Sequence, residues 1–163
     1  MRKVDIVIPI RNNPKETEDA LNAILNNTLY PNYKIIIVES ESTDGCDKLV
    51  DEFEKKYPDK IKVYHTPKNG ITRAINYGIN HSRDNSDVYL TQNDVLVPKL
   101  YKRDWLSVLV RYAELNVYGL ITTIAGGGKD ITGDYIRDFR WVGTWSLYIP
   151  RATINKMCFY EEI

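Results

Sequence analysis

Apolar and polar positions along this chain follow two rhythms, one of strands and one of helices. Val4 to Ile10 is a short apolar run, closed by Pro9 and the polar Arg11-Asn12-Asn13-Pro14, and reads as a strand. Lys15 to Asn27 follows with Ala20, Leu21, Ile24 and Leu25 on one helical face. Tyr33 to Val38 is apolar on both faces, as a parallel strand covered from two sides would be. Ser42-Thr43-Asp44 offers capping side chains to a helix through about Lys55, with Leu49, Val50 and Phe53 inward. Ile61 to Tyr64 is a short strand, and Lys68-Asn69-Gly70 turns the chain into a helix from Ile71 to about His81. Asp87 to Thr91 is a fourth strand. Trp105 to Ala113 is helical, Val117 to Ile124 is a strand, and Ala125 to Asp138, with its glycines, reads as a loop. Val142 to Ile149 is the last strand, and Pro150 opens a short helix at its first position.

Strands alternating with helices predict an α/β fold: one Rossmann-like domain over residues 1–163, its central sheet mostly parallel, with helices on both faces. Ligands of such sheets bind beyond the carboxyl ends of the strands. Those ends carry Pro9-Ile10-Arg11, Glu39-Ser40 and Gln92-Asn93-Asp94. The last triplet interrupts an apolar run, Leu90-Thr91 before it and Val95-Leu96-Val97 after it, so a carboxylate stands where a ligand would lie.

Composition narrows the choice. The 163 residues carry 22 basic and 22 acidic side chains. That balance argues against nucleic-acid binding by bulk charge and against a polybasic membrane anchor. No apolar run is long enough to span a membrane. Met1-Arg2-Lys3 leads directly into a strand, so no signal peptide is expected. Cys46 and Cys158 form neither a disulfide framework nor a zinc site, which suits a cytoplasmic protein. Neither G-x-G-x-x-G nor G-x-x-x-x-G-K follows the first strand, which disfavours a dinucleotide dehydrogenase or a P-loop NTPase. Gly126-Gly127-Gly128-Lys129 comes late, before no clear helix, and stays open as a phosphate cradle, a lid or a surface loop. His65 and His81 have no partner at metal-ligand spacing and read as surface or turn residues. Trp105 reads as packing.

Four stretches in order, V-D-I-V-I-P-I-R-N, I-I-I-V-E-S-E-S-T-D-G, K-N-G-I-T-R-A-I-N-Y-G-I and V-Y-L-T-Q-N-D-V-L-V, resemble family 2 glycosyltransferases of the GT-A fold. The resemblance covers residue 3 to about residue 162. It implies an inverting transferase that moves a sugar from a UDP-, GDP- or dTDP-sugar to an acceptor hydroxyl, assisted by Mg²⁺ or Mn²⁺. The acceptor, whether saccharide, lipid or protein, is not implied. Residues up to about 98 would bind the nucleotide, and those from about 99 would face the acceptor.

The same resemblance implies roles for single positions. Pro9, Ile10 and Arg11 would lie beside the nucleoside, and Glu39 would contact the base or ribose where the family usually has Asp. Asp44 would cap a helix rather than touch ligand. Arg73 would sit near the base or phosphates, with Asn76 and Gly78 mainly packing. Gln92, Asn93 and Asp94 fall on the D-x-D position, with Asp94 as the metal ligand and Gln92 in place of the first acid. One carboxylate instead of two implies weaker metal affinity.

The pattern breaks at the catalytic base, the carboxylate that takes the acceptor's proton. Cys158-Phe159-Tyr160-Glu161-Glu162 resembles the segment that precedes it, but the sequence ends at Ile163. Three readings stay open: Glu161 or Glu162 is the base; Asp134 or Asp138 from the glycine-bearing loop is; or the chain is a catalytically weak nucleotide-sugar binding module. Trp141 or Trp145 would stack on an acceptor sugar or, as tryptophans at a strand start more often do, pack in the core. A nucleotidyltransferase would need a glycine-rich basic loop after the first strand, which this chain lacks. A domain without the family's C-terminal segment is expected to expose apolar surface, which a homodimer would cover.

Overall fold

The computed structural model describes residues 1–68, 70–99, 104–116, 119–122 and 146–156. Among them, six strands form one sheet in the order β3-β2-β1-β4-β6-β5. They are β1 (Lys3–Ile10), β2 (Tyr33–Glu39), β3 (Ile61–His65), β4 (Ser86–Thr91), β5 (Ile121–Thr122) and β6 (Ser146–Ile149). The helices are α1 (Pro14–Asn27), α2 (Cys46–Lys56), α3 (Ile71–Asn80), α4 (Trp105–Glu114) and α5 (Arg151–Ile154). The first four strands are parallel neighbours, as their apolar faces imply.

Strands β1, β2 and β4 are buried on both faces. Ile6, Ile8, Ile35, Ile37 and Tyr89 point into a core shared with Leu21, Ile24, Val50, Phe53, Trp105 and Leu106 of α1, α2 and α4. Val7, Ile36, Val38, Val88 and Leu90 point the other way, onto Ala74 and Ile75 of α3. Trp105 is packing, as expected: it lies against Tyr89 and donates from Nε1 to Thr28 Oγ1 at 3.0 Å. Gly78 lets α3 approach the sheet. A Cβ there would overlap Val7 Cγ1 and stand 3.2 Å from Val38 Cγ2.

The return strand departs from simple parallel order. β6 runs antiparallel to both β4 and β5. The stretch between β5 and β6 has glycines and no helical period, and a parallel return needs a crossover of a dozen or more residues, usually a helix. Of the predicted strands Val117 to Ile124 and Val142 to Ile149, residues 117, 118, 123, 124 and 142–145 lie outside the described residues. Pro150 stands at the N-cap of α5 rather than at its first helical position.

The amino edge of the sheet is held by buried charge. Asp5 is fully buried and accepts from Arg83 N at 2.5 Å, Arg83 Nε at 2.7 Å and Ser86 Oγ at 2.8 Å. Asp87 accepts from Arg2 Nη1 at 2.9 Å, Tyr148 Oη at 2.7 Å and Arg151 N at 2.7 Å. Burial first, and Asp87 second, hold the Tyr148 phenol well above its ordinary value, so it remains a donor. The antiparallel sense of β6 makes this possible by bringing its end to the start of β4.

Candidate functional site

The chain passes from β1 outward through β2 to β3, then returns to the other side of β1 with β4. The order of strands therefore reverses between β1 and β4, where sheets of this kind open a ligand crevice. Pro9 helps to open it. Ile10 turns its carbonyl to β2, accepting from Ser40 N at 3.0 Å, so Pro9 faces β4, where it has no N–H to extend the ladder. The β1–β4 register ends at Val7 and Leu90, while β1 continues to Ile10 and β4 to Thr91.

Arg11 leaves the end of β1 exposed, while Pro9 and Ile10 are buried in the sheet. Across the crevice, Gln92 and Asn93 are half-buried and Asp94 is exposed in the turn after β4. Among the described residues, nothing hydrogen-bonds to or pairs with the Asp94 carboxylate. Asn93 points inward. Its amide donates to Asn12 O at 3.1 Å and to Thr17 Oγ1 at 2.9 Å.

Asn12 is the hub of the neighbouring loops. Its own N–H donates to Ser42 Oγ at 2.8 Å, and its side-chain oxygen accepts from Thr43 N at 2.9 Å. Asn12 and Asn13 both take left-handed backbone, with φ 65° and 63°, a conformation asparagine tolerates better than most residues. Asp44 accepts from Asn13 N at 2.7 Å and from Cys46 N at 3.2 Å, so it both ties the β1–α1 loop and satisfies the start of α2. Gly45, not Ser42, Thr43 or Asp44, occupies the N-cap position.

Glu39, at the end of β2, is buried, and each of its carboxylate oxygens has one partner. Oε1 accepts from Ser42 N at 2.6 Å, and Oε2 lies 3.0 Å from His65 Nδ1. His65 Nε2 lies 2.9 Å from Asp51 Oδ1 on α2. Ile10, Glu39 and His65 are register partners across β1, β2 and β3, so one row crosses the carboxyl edge. His65 is a surface residue, as expected, yet both of its ring nitrogens have a carboxylate partner. The strand-end rule that singles out Glu39 applies equally to His65, whereas metal-ligand spacing passes over it. Arg73 is exposed in the first turn of α3 and is not isolated there. Glu161, Glu162, Asp134, Asp138, Trp141, Trp145, Cys158 and Gly126 to Lys129 lie outside the described residues.

A family model for glycosyl transferase family 2 matches residues 5–162. The chain belongs to that family. An uncharacterized glycosyltransferase of Rickettsia bellii is 27% identical over 128 residues, 77% of this chain and 18% of that protein. The chain therefore spans less than a fifth of that curated relative. The mannosyltransferase PcManGT of Pyrobaculum calidifontis, solved with GDP-Man and Mn²⁺, superposes with a TM-score of 0.67 at 25% identity, over 76% of this chain and 36% of that one. S. aureus TarS 1-349 shares the fold, with a TM-score of 0.72 at 18% identity, over 98% of this chain and 51% of that one. The GT-A architecture of this family 2 chain is thus the one that the resemblance of its four stretches implies. No helix among the described residues is long and apolar enough to cross a membrane.

The site chemistry can be tested against a divalent ion. Among the described residues no three His, Cys, Asp or Glu side chains converge as a closed metal cage. In the described turn after β4, Asp94 offers an exposed carboxylate, a hard oxygen donor. Mg²⁺ and Mn²⁺ suit such a position, because they keep several waters and take further ligands from substrate phosphates. The donor set fits a cation shared with a diphosphate and does not fit a cation held by protein alone.

Proposed function

We propose that this family 2 chain binds a nucleotide-diphosphate sugar at the β1–β4 crevice and transfers the sugar to an acceptor hydroxyl with inversion. The observation that carries this reading is the exposed Asp94 carboxylate, without a partner among the described residues, at the point where strand order reverses, on a turn whose neighbour Asn93 is fixed. The GDP-Man and Mn²⁺ of the archaeal mannosyltransferase complex support a nucleotide sugar and a divalent ion in the same fold. Asp94 would hold Mg²⁺ or Mn²⁺. The bound ion would neutralise the diphosphate and make the nucleotide a better leaving group.

The chain's own residues do the rest. Asn93 holds the turn so that Asp94 meets the crevice without reorganising. Arg11 and Arg73 present cationic groups toward the nucleotide. Glu39 retains lone pairs beyond its two contacts and accepts from the base or ribose. Residues up to about 98 bind the donor, and those from about 99 face the acceptor. An acid among Glu161, Glu162 and Asp138 takes the acceptor's proton as the hydroxyl attacks.

Incubation of the chain with UDP-, GDP- and dTDP-sugars, with and without Mn²⁺, tests the reading. Metal-dependent release of nucleoside diphosphate, by transfer or slow hydrolysis, is expected for one base. Binding without any release would identify a nucleotide-sugar binding module instead. Absence of both binding and release would overturn the proposal.

A further inference from the structure

The row of strand ends contains a group that the transfer reaction does not use directly. His65 stands between two carboxylates, with Nδ1 3.0 Å from Glu39 Oε2 and Nε2 2.9 Å from Asp51 Oδ1. A carboxylate only accepts. A neutral imidazole has one N–H and one lone pair, so either tautomer would face one carboxylate with a lone pair. Only the doubly protonated ring satisfies both contacts.

The two carboxylates differ in what they can do if the ring loses a proton. The Asp51 side chain is 43% exposed and can turn to water, whereas that of Glu39 is 4% exposed and cannot. The neutral ring would keep its one N–H on Glu39 but would no longer offset its charge. Glu39 would then be a buried, uncompensated carboxylate beside a site for an anionic diphosphate. The effect would extend past Glu39, because its other oxygen holds Ser42 N, and Ser42 Oγ holds Asn12 N at the crevice.

We propose that His65 is a positioning residue for donor binding: as an imidazolium it pins and neutralises Glu39, and loss of its proton weakens nucleotide-sugar binding. The inference rests on the nucleotide-sugar reading above. The charged groups that face the ring are Glu39 from β2 and Asp51 from α2. On the same elements, Lys62 of β3 is paired with Glu54 of α2 at 2.9 Å and does not contact the ring. The hydrogen bond to Glu39 is the leading reason that the ring holds its proton above the ordinary imidazole value, and Asp51 adds to it against partial burial.

The test is calorimetric titration of the full chain with GDP-mannose and UDP-GlcNAc plus Mn²⁺, between about pH 6 and pH 8, where neither probe's phosphates titrate. Three proteins are compared: wild type, His65→Gln and His65→Arg. Wild type should bind more weakly as pH rises, by roughly three- to tenfold. His65→Gln should be as weak as the alkaline wild type at every pH. His65→Arg, permanently charged, should lose the pH dependence. Long-range ¹H–¹⁵N spectra of the wild-type imidazole, which need no variant to fold, should show both ring nitrogens protonated near pH 7 and a lower titration midpoint in Asp51→Asn. Nucleotide-sugar binding that is equal in wild type and His65→Gln and flat with pH would overturn the role of His65 while leaving the donor site standing. A neutral ring near pH 7 would also overturn it. A wild type that binds neither probe would overturn both.

Discussion

The side-chain amide of Asn93 donates to the backbone carbonyl of Asn12 at 3.1 Å, joining the turn after β4 to the loop after β1 across the point where strand order reverses. Together with the 2.9 Å bond to Thr17 Oγ1, this contact makes Asn93 a tether for the neighbouring Asp94. Asn93→Ala should cost about 1–2 kcal/mol, since it removes a donor from the half-buried Asn12 carbonyl and from the buried Thr17 hydroxyl. It should also weaken metal-assisted nucleotide binding, by freeing the turn. Denaturant titration and calorimetry on one preparation separate the two effects.

Gly78→Ala should destabilise the chain by about 1–3 kcal/mol, because Val7 or α3 must move to admit the methyl group. The lowered urea midpoint should come with an unchanged slope, as expected when native packing alone is altered.

Asp5→Ala should cost roughly 3–5 kcal/mol, as it removes the acceptor for Arg83 and Ser86 in the dry amino edge. That edge is opposite the crevice. Under conditions where the variant remains folded, its nucleotide affinity should therefore match that of wild type. The expected result is a lower thermal midpoint with the same dissociation constant.

Stability should also report the His65 sandwich. The folded ring holds its proton above the ordinary value of 6.5. Its contribution is therefore complete below the unfolded value and is lost as pH rises through the folded one. The side chain is 49% exposed, so solvent screening limits the effect to on the order of 1 kcal/mol or less. Urea midpoints should fall slightly between about pH 6 and pH 8 in wild type, and that step should be missing from His65→Gln.

The strands and helices up to α4 were largely legible because their signals are local. Ile35 to Val38 is apolar on both faces, and Ala20, Leu21 and Ile24 repeat at helical spacing. The strand-end rule singles out Glu39 and Asp94, and the structure places Glu39 at the end of β2 and Asp94 in the turn after β4. The antiparallel β6 was not legible, because its direction depends on a distant pairing with β4 and on the Asp87–Tyr148–Arg151 contacts. The Asn12 hub has no local signal for a similar reason. Its partners come from loops roughly 30 and 80 residues away and depend on left-handed backbone at Asn12 and Asn13. The pairing of His65 has none either, because its neighbours are set by register across strands, not by spacing along one.

The central claim is that Asp94 couples a divalent ion to a bound nucleotide. Calorimetric titration of UDP and GDP into wild type and Asp94→Asn, each with and without Mn²⁺, tests it most directly. Asparagine preserves the size of the side chain and removes its charge, and Asp94 is exposed, so the variant should fold normally. The account predicts that Mn²⁺ tightens binding of one nucleotide to wild type by about tenfold or more and leaves the variant nearly unaffected. An equal manganese effect in both proteins, or none in wild type, would contradict it.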